Sequence, residues 1–356
     1  MVSVRNSAGS TPVAPPVGRV VVTGGAGLVG GAVLRALAAD PSVASVVSVD
    51  LREPDPRPAG VEHRSGDLLD LDLVALLEGA DAVVHLAAVV DPILDDALAS
   101  RTNVEGTQRL LDAVATAGVR TVVRVSSAAV YGAWPTNPRP LTEDSPLRPV
   151  PGHGPAVQAA EVERRLVDWR SEHPEVRVTT FRAAPVVGRG AGHLWARTIV
   201  GPNRLRVRGA DRPVQVVHPD DVASAVTLAV TGALDGVYNL AADGWMTAEA
   251  CDALQSRARV PALPAELLDR LLARSWRSGF GTVPPEVVPY LEHPWIVATD
   301  RVVAAGWRPS VSNEEAILEA LDAVPAPRLD RRAPIAAALL VGGLLAGLAL
   351  RRRGRG

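Results

Sequence analysis

From Arg19 onward, short runs of β-branched and other apolar residues alternate with longer, helix-like stretches. The short runs are VVV (20–22), VVSVD (46–50), AVVHLAA (82–88), TVVRVSS (121–127) and VRVTTFRAAPVVG (176–188), and PVQVV (213–217) leads into a further helix. Stretches such as LVGGAVLRALAAD and RTNVEGTQRLLDAVATAG between them have the length and spacing of helices. Apolar strands that alternate with helices are typical of a parallel sheet covered on both faces. The pattern therefore predicts an α/β fold of the doubly wound, Rossmann type.

The alternation weakens in two segments, 190–213 and 243–306, where Pro, Trp and Arg become frequent. We interpret these segments as a smaller, irregular substrate lobe over the carboxyl edge of the sheet, where open α/β sheets bind ligands. The predicted organisation is a disordered leader (1–17), a main domain (18–325), a linker (326–332), an apolar helix (333–350) and a basic tail (351–356).

The apolar helix, APIAAALLVGGLLAGLAL, has 18 residues without a charge and is flanked by arginines on both sides. As an α-helix it would be roughly 27 Å long, close to the ~30 Å hydrocarbon core of a bilayer. We expect a transmembrane anchor that tethers the main domain to the cytoplasmic face of the membrane, with a buried or oligomer-packing helix as the alternative. Gly343 and Gly347 form a GxxxG pair that would let two such helices approach closely in a homodimer.

The charge balance and the residue types exclude several functions. The chain has 37 basic and 39 acidic side chains, so it lacks the basic excess of a nucleic-acid-binding protein. Its one cysteine, Cys251, excludes an internal disulfide and a multi-cysteine metal site. Apart from seven histidines, all of the basic residues are arginine, so no mechanism can use a lysine amine of this chain. His218, Asp220 and Asp221 are predicted to lie where a helix begins, with the aspartates capping it, and we expect no metal site.

The segment TGGAGLVG, residues 23–30, follows the first strand and opens the first helix. Gly24 and Gly25 suit a tight turn, Gly27 lets the backbone approach a pyrophosphate, and Gly30 lets helix and strand pack closely. Thr23, Leu28 and Val29 complete this loop, which places phosphates at the helix N-terminus.

Asp50 ends the second strand, 20 residues beyond Gly30. A carboxylate at this place accepts hydrogen bonds from ribose hydroxyls and repels a 2′-phosphate, so the expected cofactor is NAD rather than NADP. Arg52, two residues later, tempers that preference.

Nine segments in order resemble the extended short-chain dehydrogenase/reductases, the NAD-dependent epimerase/dehydratase family, over roughly residues 19–321. They are TGGAGLVG, GDLLD, HLAA, NVEGT, RVSSAAVYG, PLTEDSPLRP, FRAAPVVGRG, VVHPDDVASAV and AGWRPS. The resemblance implies cofactor contacts from GDLLD, HLAA and NVEGT, that is, from Asp67, Leu68, Leu86, Ala87, Ala88 and Asn103. It also implies that Ser127 is the catalytic serine and that Tyr131 lies beside it.

The same resemblance exposes a departure at PGHGPAVQAAEVERRL, residues 151–166. The family presents a tyrosine and a lysine four residues apart on this helix, the first as proton donor and the second as a cationic ribose contact. With Glu161 set against the family's glutamate, His153 falls at the tyrosine position and Val157 at the lysine position. We take His153, and secondarily Tyr131, as candidate replacements for the missing proton donor.

These observations leave three hypotheses about function. The first is an atypical NAD-dependent epimerase, dehydratase or reductase that acts on a small molecule, with a nucleotide sugar as one candidate. The second is a non-catalytic, membrane-tethered sensor or scaffold that binds NAD. The third is a membrane-associated sterol or lipid-type dehydrogenase, suggested only by the apolar tail.

Overall fold

The computed structural model describes residues 17–200, 204–210, 212–232, 234–255 and 262–323, and its centre is one parallel sheet. The strands are β1 (Val17–Thr23), β2 (Val43–Asp50), β3 (Val61–Ser65), β4 (Ala82–His85), β5 (Thr121–Ser127), β6 (Arg177–Ala183) and β7 (Gly236–Leu240). Their order across the sheet is β3-β2-β1-β4-β5-β6-β7, and every neighbouring pair is parallel. The strand order reverses between β1 and β4, which is where open α/β sheets bind ligands. The predicted Rossmann-type fold is confirmed.

Helices cover both faces of the sheet. They are α1 (Leu28–Ala39), α2 (Leu73–Leu77), α3 (Asp96–Ser100), α4 (Gly106–Ala117), α5 (Gly154–Glu172), α6 (Leu194–Ile199), α7 (Pro219–Val230), α8 (Ala248–Leu254), α9 (Ala265–Arg277), α10 (Val288–Glu292), α11 (Asp300–Ala304) and α12 (Asn313–Ala323). One turn of π-helix, 101–105, joins α3 to α4, and short 3₁₀ turns lie at 128–131 and 285–287.

Alternate residues of β1 point to opposite layers of the core, as the strand period requires. Val20 and Val22 pack with α1 and α7, whereas Val21 packs with α2, α4 and the second half of α5. Both layers are apolar, which explains why the central strands are continuous runs of valine rather than alternating patterns.

Two strands were not predicted from the sequence, and one predicted strand is wrong. β3 is the polar segment VEHRS at the sheet edge, and β7 is the short segment GVYNL, so neither has a long apolar run. The predicted strand PVQVV (213–217) forms only isolated bridges, Val214 with Met246 and Val217 with Val186. Each partner segment offers a single pairing, so no ladder can extend along this stretch.

The lobe predicted at 190–213 and 243–306 contains the short helices α6 and α8 to α11, and α6 and α8 share a third apolar cluster with α12. The compact unit ends at Leu321, and it contains the whole sheet and helices α1 to α11. Within the described residues, no helix is both long enough and apolar enough to cross a bilayer. The predicted span 333–350, its linker, the basic tail and residues 1–16 of the leader lie outside the described part, so the predicted domain division stays a prediction.

Candidate functional site

The glycine loop lies between the end of β1 and the start of α1, and two of its glycines are required by internal packing. Gly24 has φ +76°, and a Cβ there would come within 2.6 Å of the backbone nitrogen of Ala87. A Cβ on Gly30 would collide with the carbonyl oxygen of Gly24 and lie 2.7 Å from the Cα of Gly25. Gly30 therefore packs against the glycine loop itself. The sequence predicted close packing of this helix residue against the strand, but the loop is the nearer neighbour.

Gly27 is different, because it faces open space. It is the N-cap of α1 with extended backbone angles, and a Cβ there would meet only the Gly24 carbonyl, at 3.4 Å. Among the described residues, no side chain caps this helix end and no acidic residue lies in its first turn. The N–H groups of Leu28 and Val29 have no acceptor within the helix, so they are available to an anion. The residues present thus fit a dinucleotide pyrophosphate.

Asp50 closes the other side of this cradle. Its Oδ2 accepts a hydrogen bond from the Ala26 N–H (3.0 Å) and its Oδ1 one from the Arg52 N–H (3.1 Å). Each carboxylate oxygen keeps a lone pair free for a ribose hydroxyl. Arg52 is exposed, and it supplies its backbone rather than its guanidinium to this arrangement.

The GDLLD segment lies beside Asp50, because the Gly66 N–H donates to the Asp50 carbonyl (3.1 Å). Asp67 turns the chain here by accepting from the Leu69 N–H at 2.9 Å, and Leu68 is buried beneath it. Asp67 therefore shapes the turn at the place where the resemblance implies a cofactor contact.

The segment after β4 folds against the glycine loop instead of extending the strand. Leu86 donates its N–H to the Thr23 carbonyl (3.1 Å), and Ala87 donates to Thr23 Oγ1 (3.3 Å). Thr23 Oγ1 also bonds the buried ring of His85 at Nδ1 (2.8 Å). Burial, with a smaller contribution from nearby Arg124, lowers the pKa of His85 to about 3, so this histidine is a neutral structural group. The predicted cofactor residues Leu86, Ala87 and Ala88 are thereby held beside the loop.

Asn103 holds the next part of that segment. Its side chain accepts from the Val89 N–H (2.7 Å), donates to the Val89 carbonyl (3.0 Å) and donates to Gln158 Oε1 (2.7 Å). Gln158 in turn donates to Asp96 Oδ1 (2.9 Å). Asn103 is thus a buried positioning residue, and Gln158 and Asp96 are partners that the sequence did not reveal. A glutamine on the packed face of α5 was the available signal.

Ser127 ends β5 and is partly exposed at the carboxyl edge of the sheet, where its Oγ accepts from the Ala129 N–H at 3.2 Å. Tyr131 is fully buried nearby. Its hydroxyl donates to Asn239 Oδ1 (2.8 Å) and accepts from Arg182 Nη1 (2.8 Å). Burial raises the pKa of Tyr131 to about 12, although Arg182 opposes that shift. With its hydroxyl already engaged on both sides, Tyr131 supports the wall of the site.

Beneath the serine lies a buried charge cluster formed by Arg124, Ser126, Glu163 and Arg182. Glu163 accepts from Arg182 Nε (2.8 Å) and from Ser126 Oγ (2.5 Å), and Arg124 Nη1 lies 3.9 Å from its carboxylate. Two guanidinium groups therefore share one carboxylate below Ser127. No sequence pattern indicates this cluster, because a single arginine within TVVRVSS is equally compatible with an exposed strand edge.

His153 is the N-cap residue of α5 and is only 1% exposed. Its ring centroid lies 5.2 Å from that of Trp195 and 5.4 Å from that of Tyr290. Among the described residues, neither imidazole nitrogen has a hydrogen-bond partner. Burial lowers the pKa of His153 to about 4, so the ring is neutral near pH 7. Val157, one turn later, is 37% exposed.

Tyr290 connects His153 to the turn that follows Ser127. Its hydroxyl donates to the Ala129 carbonyl (2.8 Å) and accepts from the Val150 N–H (3.3 Å), while the edge of its ring meets His153. Trp195, Tyr290 and Trp295 contact one another, with centroids 4.9 to 5.2 Å apart. We call these three residues the aromatic cage. The sequence placed the tryptophans in the lobe but did not indicate that Trp195 packs on His153.

The start of α7 differs from the prediction. His218, rather than an aspartate, caps the helix, because its Nδ1 accepts from the Asp220 N–H at 3.2 Å. Asp221 instead accepts from Ser310 at 2.8 Å, and Asp220 pairs with Arg35 on α1. In the described part of the chain, no three metal-ligating side chains come together.

Comparison with known proteins adds family and fold. The model of the NAD dependent epimerase/dehydratase family matches residues 20–241. An uncharacterized protein of Mycobacterium tuberculosis is 27% identical over 308 residues, 83% of this chain and 81% of its own. The dTDP-glucose 4,6-dehydratase of Streptomyces griseus is 38% identical over 144 residues, which cover 36% of this chain and 43% of that enzyme.

Two solved structures share the fold. The UDP-glucose 4-epimerase of Thermotoga maritima with UDP-glucose superposes with a TM-score of 0.68 at 19% identity, over 86% of this chain and 98% of that chain. The UDP-glucose 4-epimerase of Thermus thermophilus in complex with NAD has a TM-score of 0.67 at 24% identity, with the same coverage of 86% and 98%.

Proposed function

The chain belongs to the NAD-dependent epimerase/dehydratase family, and from that premise we propose that it is an atypical member that binds NAD and acts on a nucleotide sugar. The cradle between Gly27 and Asp50 is the observation that supports NAD as the cofactor. A nucleotide sugar is favoured as substrate because both superposed epimerases act on UDP-glucose, and the Streptomyces griseus relative acts on a dTDP-sugar.

In this proposal the glycine loop and the N-terminus of α1 bind the pyrophosphate, and Asp50 binds the adenosine ribose. The segment from Leu86 to Ala88, held by Thr23 and Asn103, lines the cofactor on its other side. NAD, when bound, supplies a hydride acceptor to the reaction. Val157 contributes no charge to the nicotinamide ribose, so affinity depends on the loop and on Asp50.

The substrate chemistry rests on Ser127 and His153. Ser127 is partly exposed at the sheet edge, and its hydroxyl proton is free to polarise a substrate oxygen. His153 is neutral and both of its nitrogens are unpartnered within the described residues, so it can accept a proton from a substrate hydroxyl that reaches it. Such a substrate must first gain access past the aromatic cage.

The experiment combines cofactor binding with turnover. The full-length protein should bind NAD in calorimetry and should convert at least one member of a panel of UDP- and dTDP-sugars, followed by cofactor absorbance and product chromatography. Ser127→Ala and His153→Ala should each abolish conversion while NAD binding remains. His173→Ala, at the other end of α5, is the matched control and should behave as wild type. Absence of NAD binding would contradict the cofactor assignment, and turnover indifferent to both substitutions would contradict the mechanism.

A non-catalytic role is the second candidate, favoured by the enclosure of His153 and by the apolar Val157 at the lysine position. In this case the protein would bind NAD as a sensor or scaffold at the membrane. NAD binding without conversion of any sugar nucleotide would support this role over the enzymatic one.

The membrane tether at 333–350 is a separate proposal, supported by the length and the uncharged composition of that segment. Fractionation of cells that express the full chain tests it. Recovery in the membrane pellet after a carbonate wash is expected, and recovery in the soluble fraction would refute the anchor.

A further inference from the structure

Helix α6 covers His153. Trp195, the second residue of α6, is buried, and its ring packs on the imidazole. Trp195 also contacts Tyr290, which lies in α10, and Trp295, which follows α10. Trp195 of this six-residue helix and Tyr290 of α10 thus both pack on the imidazole.

The N-terminal turn of α6 is fastened to the segment that follows β4 by a single carboxylate. Asp91 Oδ1 accepts from the Leu194 N–H at 2.7 Å, and Asp91 Oδ2 pairs with Arg197 Nη2 at 3.1 Å. Leu194 and Arg197 lie one turn apart on α6, and Trp195 lies between them in the sequence, so Asp91 holds the turn that carries the covering ring.

The chain just before Asp91 is held by buried hydrogen bonds, whereas the ion pair between Asp91 and Arg197 is partly exposed. Val89, two residues before Asp91, is bonded at both its N–H and its carbonyl by the buried Asn103. The Asp91 and Arg197 side chains are 34% and 41% exposed, so water and salt weaken their attraction. The Asp91 contact is thus an exposed addition to the apolar packing that holds α6, whose Leu194, Ala196 and Ile199 are buried.

We propose that α6 is a lid over His153 and that Asp91 is the positioning residue that holds this lid closed. In the closed state both imidazole nitrogens lack partners among the described residues, and an unpaired buried polar group is unfavourable. Opening of the lid would expose the two imidazole nitrogens to water, which favours the open state. The Asp91 contacts and the aromatic packing of Trp195 favour the closed state. The inference concerns the free protein, so it can be tested whether or not the proposed enzymatic function holds.

The test measures how fast diethyl pyrocarbonate modifies His153 in the full-length protein near pH 7, by mass spectrometry of the peptide. Asp91→Ala removes both contacts to α6, and Asp91→Asn removes the charge but keeps an oxygen that can accept from Leu194. The rate should rise by about tenfold in Asp91→Ala, the scale expected when a charge-assisted bond is lost, and by less in Asp91→Asn.

Asp235→Ala is the matched control, because Asp235 also joins one backbone N–H, of Val178, to one arginine, Arg170, but far along the chain from α6. It should leave the rate at the wild-type value. His85, which is buried in the sheet, should stay unmodified in every variant and so exclude general unfolding.

Equal His153 rates in wild type, Asp91→Ala and Asp91→Asn would overturn the proposal, as would an equal acceleration in Asp235→Ala. If Asp91→Ala does not fold, Arg197→Gln, which leaves the Leu194 contact intact, decides in its place together with Asp91→Asn. In that case the proposal is overturned if His153 is modified no faster in either of these two variants than in the wild type. As a second readout, the pKa of His153 measured by NMR should move from its lowered value toward that of an exposed histidine in the open variants.

Discussion

Gly27 and Gly30 lie three residues apart in one motif, yet substituting each by alanine should produce opposite results. A Cβ on Gly27 would meet only the Gly24 carbonyl, at 3.4 Å, and its extended backbone suits alanine. A Cβ on Gly30 would collide with backbone atoms of Gly24 and Gly25, which have little room to move. Gly27→Ala therefore tests ligand binding, and Gly30→Ala tests packing.

The magnitudes follow from those contacts. For Gly27→Ala, the weaker N-cap and the smaller unfolded-state entropy nearly cancel, so stability should change by less than about 1 kcal/mol. The methyl group projects into the space for the pyrophosphate, and loss of one hydrogen bond to a charged oxygen is worth about 1.5 to 3 kcal/mol, a rise in the Kd for NAD of roughly 10- to 150-fold. Overpacking at Gly30 should cost about 1 to 3 kcal/mol of folding free energy.

The assay is NAD titration by calorimetry, paired with urea unfolding of the same preparations. Gly27→Ala should lose affinity while keeping its unfolding midpoint, and Gly30→Ala should lower the midpoint. Wild-type affinity in Gly27→Ala would show that no phosphate lies on this loop, and would remove the main support for the cofactor assignment. An unchanged midpoint in Gly30→Ala would contradict the close packing of helix against loop.

Three further outcomes are expected. In urea unfolding, Glu163→Gln should lower the free energy of unfolding by about 3 to 5 kcal/mol, since it leaves Arg182 and Arg124 buried without a carboxylate. The control Glu161→Gln, on the exposed face of the same helix, should lower it by less than about 1 kcal/mol. His153→Phe should flatten the acid limb of the stability curve. Between about pH 6.5 and pH 4, His153 binds a proton in the unfolded chain but stays neutral in the native protein. As the pH falls through this range, the free energy of unfolding of the wild type should therefore drop by about 1.4 kcal/mol per pH unit relative to the variant. Parallel curves of stability against pH would contradict a neutral buried imidazole. Asp50→Asn should raise the Kd for NAD by about tenfold and narrow its preference over NADP, as competitive titration would show, because the carboxylate charge that repels a 2′-phosphate is removed.

The cofactor half of the site was largely predictable, because its determinants are local. A tight turn, a close backbone approach and a helix N-terminus each require glycine at a defined place, and Asp50 follows a strand whose end is marked by the apolar pattern. Gly24, Gly27 and Asp50 accordingly lie where the motif indicated, in one cradle.

The substrate half was not predictable in the same way, because its partners are far apart along the chain. Asp91 reaches Arg197, and Tyr290 bonds the turn at Ala129, in each case across more than a hundred residues. The spacing of such residues carries no signal, since a tryptophan or an aspartate in an irregular segment has many possible neighbours.

The sequence by itself determined the parallel sheet, the glycine loop, the acidic residue at the end of the second strand and the absence of any lysine, because these follow from composition and from short-range backbone requirements. The tertiary structure alone decided the surroundings of the two residues that the resemblance places at the family's tyrosine and lysine positions. It places Val157 at the surface and buries His153 against Trp195 and Tyr290 of the aromatic cage. The physical reason is that burial, and with it the protonation state of an imidazole, depends on which distant side chains pack over it.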